Sequence, residues 1–149
     1  TDFTTASTTG PAGSVAVGQN NTSALIVADG VVMEVTGAVD VGAHGTLIVD
    51  GELTGDTTIV EGTLAGGGTI STNDAIELYG TIAPSSVASP GAGIGTLTLG
   101  GGEMGLAGNY EAEVDVEVGA IGADQIVVSD GSLMEIGGTL EVLGTGHGT

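Results

Sequence analysis

The sequence predicts an all-β protein, and within that class a single-stranded parallel β-helix, or solenoid. Apolar residues come as short aliphatic runs bounded by Gly or by an Asp-Gly pair, which is how strands are punctuated. No window holds a helical period, and 30 glycines in 149 residues would burden a helical bundle. The runs also recur with a degenerate period of about 20 residues, the mark of stacked repeats. A β-sandwich is the alternative, because strands spaced about 8 to 12 residues apart suit it as well. Sandwich cores draw on large aromatic anchors, however, and this chain has no Trp, 2 Tyr and 1 Phe.

Residues 1–24 are rich in Thr, Ser, Gly and Asn, with Val15 and Val17 the only hint of alternation. They are expected to form an N-terminal cap or a segment that pairs with a neighbour, and 25–149 the β-helix domain. The predicted strands begin with Leu25-Ile26-Val27, Val31 to Val35, Ala38 to Val41 and Thr46 to Val49. Thr58-Ile59-Val60, Ala75 to Tyr79, Thr96 to Leu99 and Tyr110 to Val118 follow, then Gln125 to Val128 and Thr139 to Val142. Repetition is visible in the residues themselves. Leu25-Ile26-Val27-Ala28-Asp29-Gly30 returns as Leu47-Ile48-Val49-Asp50-Gly51 and as Ile126-Val127-Val128-Ser129-Asp130-Gly131. A Gly-Thr-Leu or Gly-Thr-Ile tripeptide opens at Gly45, Gly62, Gly68, Gly80, Gly95 and Gly138. Stacked at about 4.8 Å per coil, about seven coils would make a rod of about 35 Å.

From Gly80 onward these pieces fall in a familiar order. Gly80-Thr81-Ile82-Ala83-Pro84 leads through Ser89-Pro90-Gly91 to Gly95-Thr96-Leu97-Thr98-Leu99. Tyr110-Glu111-Ala112-Glu113-Val114 comes next, then Ala123 to Val128, then Ile136-Gly137-Gly138-Thr139-Leu140-Glu141-Val142. Over residues 80–143 the chain resembles the passenger-associated β-strand repeat of Gram-negative outer-membrane autotransporters. The resemblance implies a right-handed β-helix and an extracellular or bacterial cell-surface location. No β-barrel translocator follows Thr149, so it implies a passenger fragment or a free-standing relative. Zero Cys fits a passenger that crosses the outer membrane largely unfolded. The complete absence of Lys and Arg is more extreme than the family pattern.

Charge removes several functions. With 19 Asp and Glu, no Lys and no Arg, the net charge is -19, and nothing in the chain can neutralise phosphate. Nucleic acid and anionic membrane surfaces are therefore excluded as partners. No apolar run approaches the length of a transmembrane helix, and zero Cys excludes disulfides and thiolate metal sites.

The candidate site is the alternation Glu111, Glu113, Asp115, Glu117 with Ala112, Val114, Val116, Val118. On a strand this puts four carboxylates on one face. Such a row of hard oxygens would take Ca²⁺. Positions two apart lie almost 7 Å apart, so one ion would need a further ligand from another coil or molecule. The competing reading is a solvated acidic face that keeps a sheet edge from pairing. No cofactor is required. The Asp-Gly pairs at Asp29, Asp50 and Asp130 are explained by turn chemistry. His44 and His147 are expected as exposed loop histidines, since no Gly-x-Ser-x-Gly elbow or second His accompanies either. Enzymatic activity is not expected, and a carbohydrate-active β-helix with paired carboxylates is the least favoured reading. The expected function is a structural or adhesive extracellular rod, whose partner is a host or matrix surface ligand or a second copy stacked end to end. The alternative is a filament or surface-layer protomer whose stacking depends on divalent cations.

Overall fold

A computed structural model of the chain describes residues 13–84, 95–117, 120–123, 125–129 and 133–146, with side chains described up to Tyr110 and again at 125–129 and 135–140. In chain order the strands are β1 (Val15–Val17), β2 (Ser23–Val27), β3 (Val32–Glu34), β4 (Ala38–Val41), β5 (Gly45–Val49), β6 (Glu52–Val60), β7 (Thr63–Ala65) and β8 (Thr69–Leu78). Then come β9 (Thr81–Ala83), β10 (Thr96–Gly100), β11 (Glu103–Leu106), β12 (Asn109–Glu117), β13 (Ala120–Ala123), β14 (Gln125–Val128), β15 (Leu133–Ile136) and β16 (Thr139–Gly146). The fold is all-β, with no helix among the described residues.

Three parallel ladders run through it. The first stacks β2, β5, β7, β9, β12 and β16. A second stacks β3, the first halves of β6 and β8, then β10 and β14. The third stacks β1, β4, the second halves of β6 and β8, then β11 and β15. Because β6 and β8 turn the corner between the last two ladders, these share one sheet, and their mutual register slips between Gly55 and Thr57. The single antiparallel pair among the described strands is β12 with β13. Parallel stacking of this kind is compatible with a β-solenoid and departs from the antiparallel sheets of a sandwich.

The repeat is less regular than a period of about 20 suggests. Register partners lie 24 residues apart at Val15 and Val39, 20 apart at Val32 and Glu52, and 17 apart at Thr46 and Thr63. The step then widens to 28 between Thr81 and Asn109, and to 30 between Asn109 and Thr139. Two insertions account for the widening. One is the stretch between Ala83 and Thr96, and the other is the β12–β13 hairpin. Six strands therefore share the first ladder, against about seven expected coils. Pairing begins at β1, inside residues 1–24, the stretch expected to form a cap or a pairing segment.

Each ladder turns rows of largely aliphatic side chains inward, since alternate residues of a strand face opposite ways. Among these rows are Leu25–Leu47–Leu64–Ile82–Tyr110–Leu140, Met33–Leu53–Ile70–Leu99–Val128 and Val17–Val41–Val60–Leu78–Leu106–Ile136, with Val27–Val49 and Val39–Thr58–Ile76–Met104 beside them. Most members are fully buried, each contributing about 1.5–3 kcal/mol relative to exposure. Thr58 and Thr72 are the buried polar residues of this interior.

A glycine column explains the recurring Gly-Thr tripeptides. A Cβ on Gly62 would lie 2.1 Å from the carbonyl oxygen of Gly45, and one on Gly80 would lie 1.8 Å from that of Gly62. Gly108 and Gly138 meet the coil before them in the same way. At this corner successive backbones approach too closely for any side chain. The neighbouring amides close the contact, with Thr81 N donating to Gly62 O at 2.9 Å and Asn109 N to Gly80 O at 2.9 Å.

Candidate functional site

Outward positions of the ladders carry whatever chemistry the chain has. On the first ladder the residue after each corner glycine, or after Ser23 on the first rung, faces out, giving the register row Ala24–Thr46–Thr63–Thr81–Asn109–Thr139. The hydroxyls of Thr46, Thr63 and Thr81 therefore recur at about 4.8 Å, one per rung. The alternate row on the same strands is Ile26–Ile48–Ala65–Ala83, with Ile48 buried, so neither row carries a charge on any rung from β2 to β9.

The third ladder is different. There Glu77 and Glu135 stand in register on either side of Gly105, with Glu103 two residues along the middle strand. Two rung spacings separate Glu77 from Glu135, about 9.6 Å between strands. A Cβ on Gly105 would meet nothing within 4 Å, so the missing side chain leaves a notch. The resulting groove has a volume of about 360 Å³ and is lined by the three glutamates, Tyr79, Ala75 and Met104. The Tyr79 phenol donates to Glu77 Oε2 at 2.5 Å. That hydrogen bond, with lesser help from desolvation and the charges of Glu77 and Glu61, raises the phenol above its ordinary value. Such a groove offers acceptors to hydroxyl-bearing or cationic groups, the Tyr79 proton being already donated to Glu77. Among the described residues no three His, Cys, Asp or Glu side chains converge as metal ligands.

A second polar groove lies where β6 and β8 turn the corner, lined by Glu34, Thr54, Asp56, Ser71, Thr72 and Asn73. Asp56 of its lining, and Asp74 beside it, tie coils together. Asn73 Nδ2 donates to Asp56 Oδ1 at 3.0 Å, and Thr57 Oγ1 to Asp74 Oδ2 at 3.5 Å, each tie joining adjacent coils.

The sequence-predicted carboxylates Glu111, Glu113, Asp115 and Glu117 all lie on β12, as the alternation requires. Their backbone positions register with Glu141, Leu143 and Thr145 of β16, and toward the end of the strand with Gly122 and Ala120 of β13. Their side chains lie outside the described residues. Asp29 is exposed at a turn where Gly30 has φ 77°. Asp50 accepts from the backbone N–H of Gly67 at 3.3 Å and so ties one coil to the next. His44 is exposed on the turn before β5, while His147 and Asp130 lie outside the described residues.

The glutamate groove escaped sequence reasoning because its members are 26 and 32 residues apart, outside a period of about 20. The available signal was the likeness of Ala75-Ile76-Glu77-Leu78, Glu103-Met104-Gly105-Leu106 and Leu133-Met134-Glu135-Ile136, which become successive rungs. No protein-family profile, curated protein or solved structure matches the chain.

Proposed function

We propose that the chain is a single-stranded, right-handed parallel β-helix that acts outside the cell as a structural or adhesive rod, in the manner of an autotransporter passenger and without catalysis. The observation that carries the proposal is the outward row Thr46–Thr63–Thr81–Asn109–Thr139, one neutral hydrogen-bonding group per rung on an otherwise anionic chain. A rigid array at fixed spacing suits a partner that is itself repetitive, such as a surface glycan or a matrix fibre. Each site is weak, but together they gain by multivalency. Support for the passenger likeness comes from where its pieces fall. Gly80 leads into β9 at Thr81, Gly95 into β10 at Thr96, Gln125 to Val128 makes β14, and Gly138 leads into β16 at Thr139. Right-handedness accords with that likeness and with the general hand of crossovers between parallel strands of one sheet.

Two measurements test this. Fused between a signal peptide and an autotransporter β-barrel, the chain is expected at the bacterial surface, accessible to antibody on intact cells. Retention in the periplasm would refute the passenger reading. On immobilised matrix proteins and surface polysaccharides the purified chain is expected to bind without releasing products. Thr63→Glu with Thr81→Glu is expected to weaken that binding at least tenfold with the far-UV spectrum unchanged. Turnover of any glycan, or binding indifferent to the two substitutions, would overturn the adhesive role of this face.

A further inference from the structure

Two of the Asp-Gly pairs occupy the same corner of adjacent coils. Asp29-Gly30 joins β2 to β3 and Asp50-Gly51 joins β5 to β6, while β2 pairs with β5 and β3 with β6. Their surroundings are opposite. Asp29 and Gly30 are both exposed, in a turn closed by Val31 N donating to Ala28 O at 3.0 Å. Neither the Gly30 N–H nor the Asp29 carboxylate has a partner among the described residues. A Cβ on Gly30 would meet nothing within 4 Å, so carboxyl and amide are free to meet. Asp50-Gly51 is held at every point. The Gly51 N–H donates to Val27 O at 3.0 Å, and the Asp50 N–H to the same oxygen at 2.8 Å. Asp50 Oδ1 accepts from Gly67 N at 3.3 Å. A Cβ on Gly51 would lie 2.2 Å from Val31 O and 2.3 Å from Ala28 O, so the neighbouring coil closes over it.

We propose that Asp29 is a site of spontaneous backbone modification, where the aspartyl linkage isomerises to isoaspartyl, and that the fold protects Asp50 from the same reaction. The Gly30 nitrogen gives up its proton and forms a bond to Asp29 Cγ. A Cγ–O bond breaks and its oxygen departs as water, leaving a five-membered succinimide. Water then adds at the former backbone carbonyl of Asp29, whose bond to nitrogen breaks as the nitrogen regains a proton. The chain now runs through Cβ and Cγ, and the former backbone carbonyl is a carboxylate. One water leaves and one enters, so mass, charge and oxidation state are unchanged and no reagent but solvent is needed. Glycine favours ring closure because it brings no Cβ against the carboxyl. At Asp50 the attacking N–H is committed to the ladder and the carboxylate to Gly67, so the reaction there waits on local opening. The altered linkage adds a methylene to the backbone just before β3, whose Met33 is buried in register with Leu53 of β6. Stacked coils contact only their neighbours, so the resulting loosening is confined to β3 and the coil beside it. The proposal concerns this corner and not the threonine face, so it stands whether or not the rod is adhesive.

Endoproteinase Asp-N, which cuts before aspartate but not before isoaspartate, reads the outcome in a chain without tryptic sites. The folded protein is kept in warm neutral buffer, sampled over weeks, then unfolded and digested, and the fragments are weighed. Cleavage before Asp29 is expected to disappear at least ten times faster than cleavage before Asp50. Ageing in urea frees both pairs, so there the two are expected to convert at similar rates, which assigns the difference to the fold. Persistent cleavage before Asp29 in the folded chain, loss before Asp50 as fast as before Asp29, or the same disparity in urea would each overturn the proposal.

Discussion

Gly80 and Gly105 show how far the role of a glycine depends on where its missing side chain would point. At Gly80 a Cβ would sit 1.8 Å from a backbone oxygen that cannot turn aside, whereas at Gly105 it would meet open space. Gly80→Ala is therefore expected to destabilise the chain by about 3 kcal/mol, as overpacking against rigid structure does. Gly105→Ala should stabilise it by about 0.5 kcal/mol, by restricting the unfolded chain. Urea midpoints of the two variants measure both, and equal effects would show that the corner column is not close-packed. Thr58 makes the complementary case. Its hydroxyl is buried in the row Val39–Thr58–Ile76 with no hydrogen-bond partner among the described residues. Thr58→Val keeps the shape and removes an unpaired polar atom, so a gain of about 1 kcal/mol is expected from the same titration. Tyr79 titrates above its ordinary value of 10.0 because the neutral phenol donates to Glu77. The contribution of this bond is present below pH 10 and lost as pH rises through the raised value. Absorbance titration of Glu77→Gln should show the phenol ionising earlier, and an unchanged curve would assign the shift elsewhere.

The strands that sequence revealed and those it hid separate along a physical line. Runs dense in Val, Ile and Leu were legible to within a residue or two, save that β16 continues four residues past the expected Val142, and β14 was predicted from Gln125 to Val128 as observed. Hidden elements include β7, β9, β11 and β15, three or four residues each, together with the first halves of β6 and β8. In these one or two inward aliphatics suffice, as with Leu64 of β7 or Leu53 of β6, because the rungs on either side supply the rest of the core. A short strand of this kind owes its structure to stacking rather than to its own composition, so no local window displays it. The acidic strand was legible as an alternation, yet its place between β9 and β16 on the first ladder was not, because the two longer coils lie outside the period that the earlier coils suggest. Coil length itself is loosely constrained, since a corner can carry an insertion provided that the ladder resumes. Between Ala65 and Thr69 three glycines make the passage that Pro84 to Gly95 makes one coil later. Replacing Pro84 to Gly95 by Gly-Gly-Gly should preserve the far-UV spectrum and raise stability by about 1 kcal/mol through a shorter closure. A substantial loss instead would mean that the longer segment contributes packing of its own.

At the scale of the whole molecule, a chain of 19 carboxylates without one Lys or Arg folds against its own charge. Stacking brings outward acidic positions of nearby coils together, as at Glu77 and Glu135 on either side of Gly105, so the compact state carries a repulsion that the expanded chain relieves. Screening must therefore stabilise the fold, and the thermal midpoint is expected to rise steadily between about 0.01 and 0.5 M monovalent salt as the Debye length shrinks. A size effect of this sort is indifferent to which cation supplies it. Coordination is not. If Glu111, Glu113, Asp115 and Glu117 gather Ca²⁺ with a neighbour's help, millimolar Ca²⁺ will raise the midpoint beyond Mg²⁺ at equal ionic strength, because the larger ion accepts irregular oxygen sets while Mg²⁺ holds its waters. Glu113→Gln with Asp115→Asn would then erase that excess and leave the monovalent response intact. Coincident Ca²⁺ and Mg²⁺ curves would make the strand a screened acidic face and remove calcium from any account of how the rods meet. The expectation favours coincidence, since residues two apart on one strand stand too far from each other to share an ion unaided.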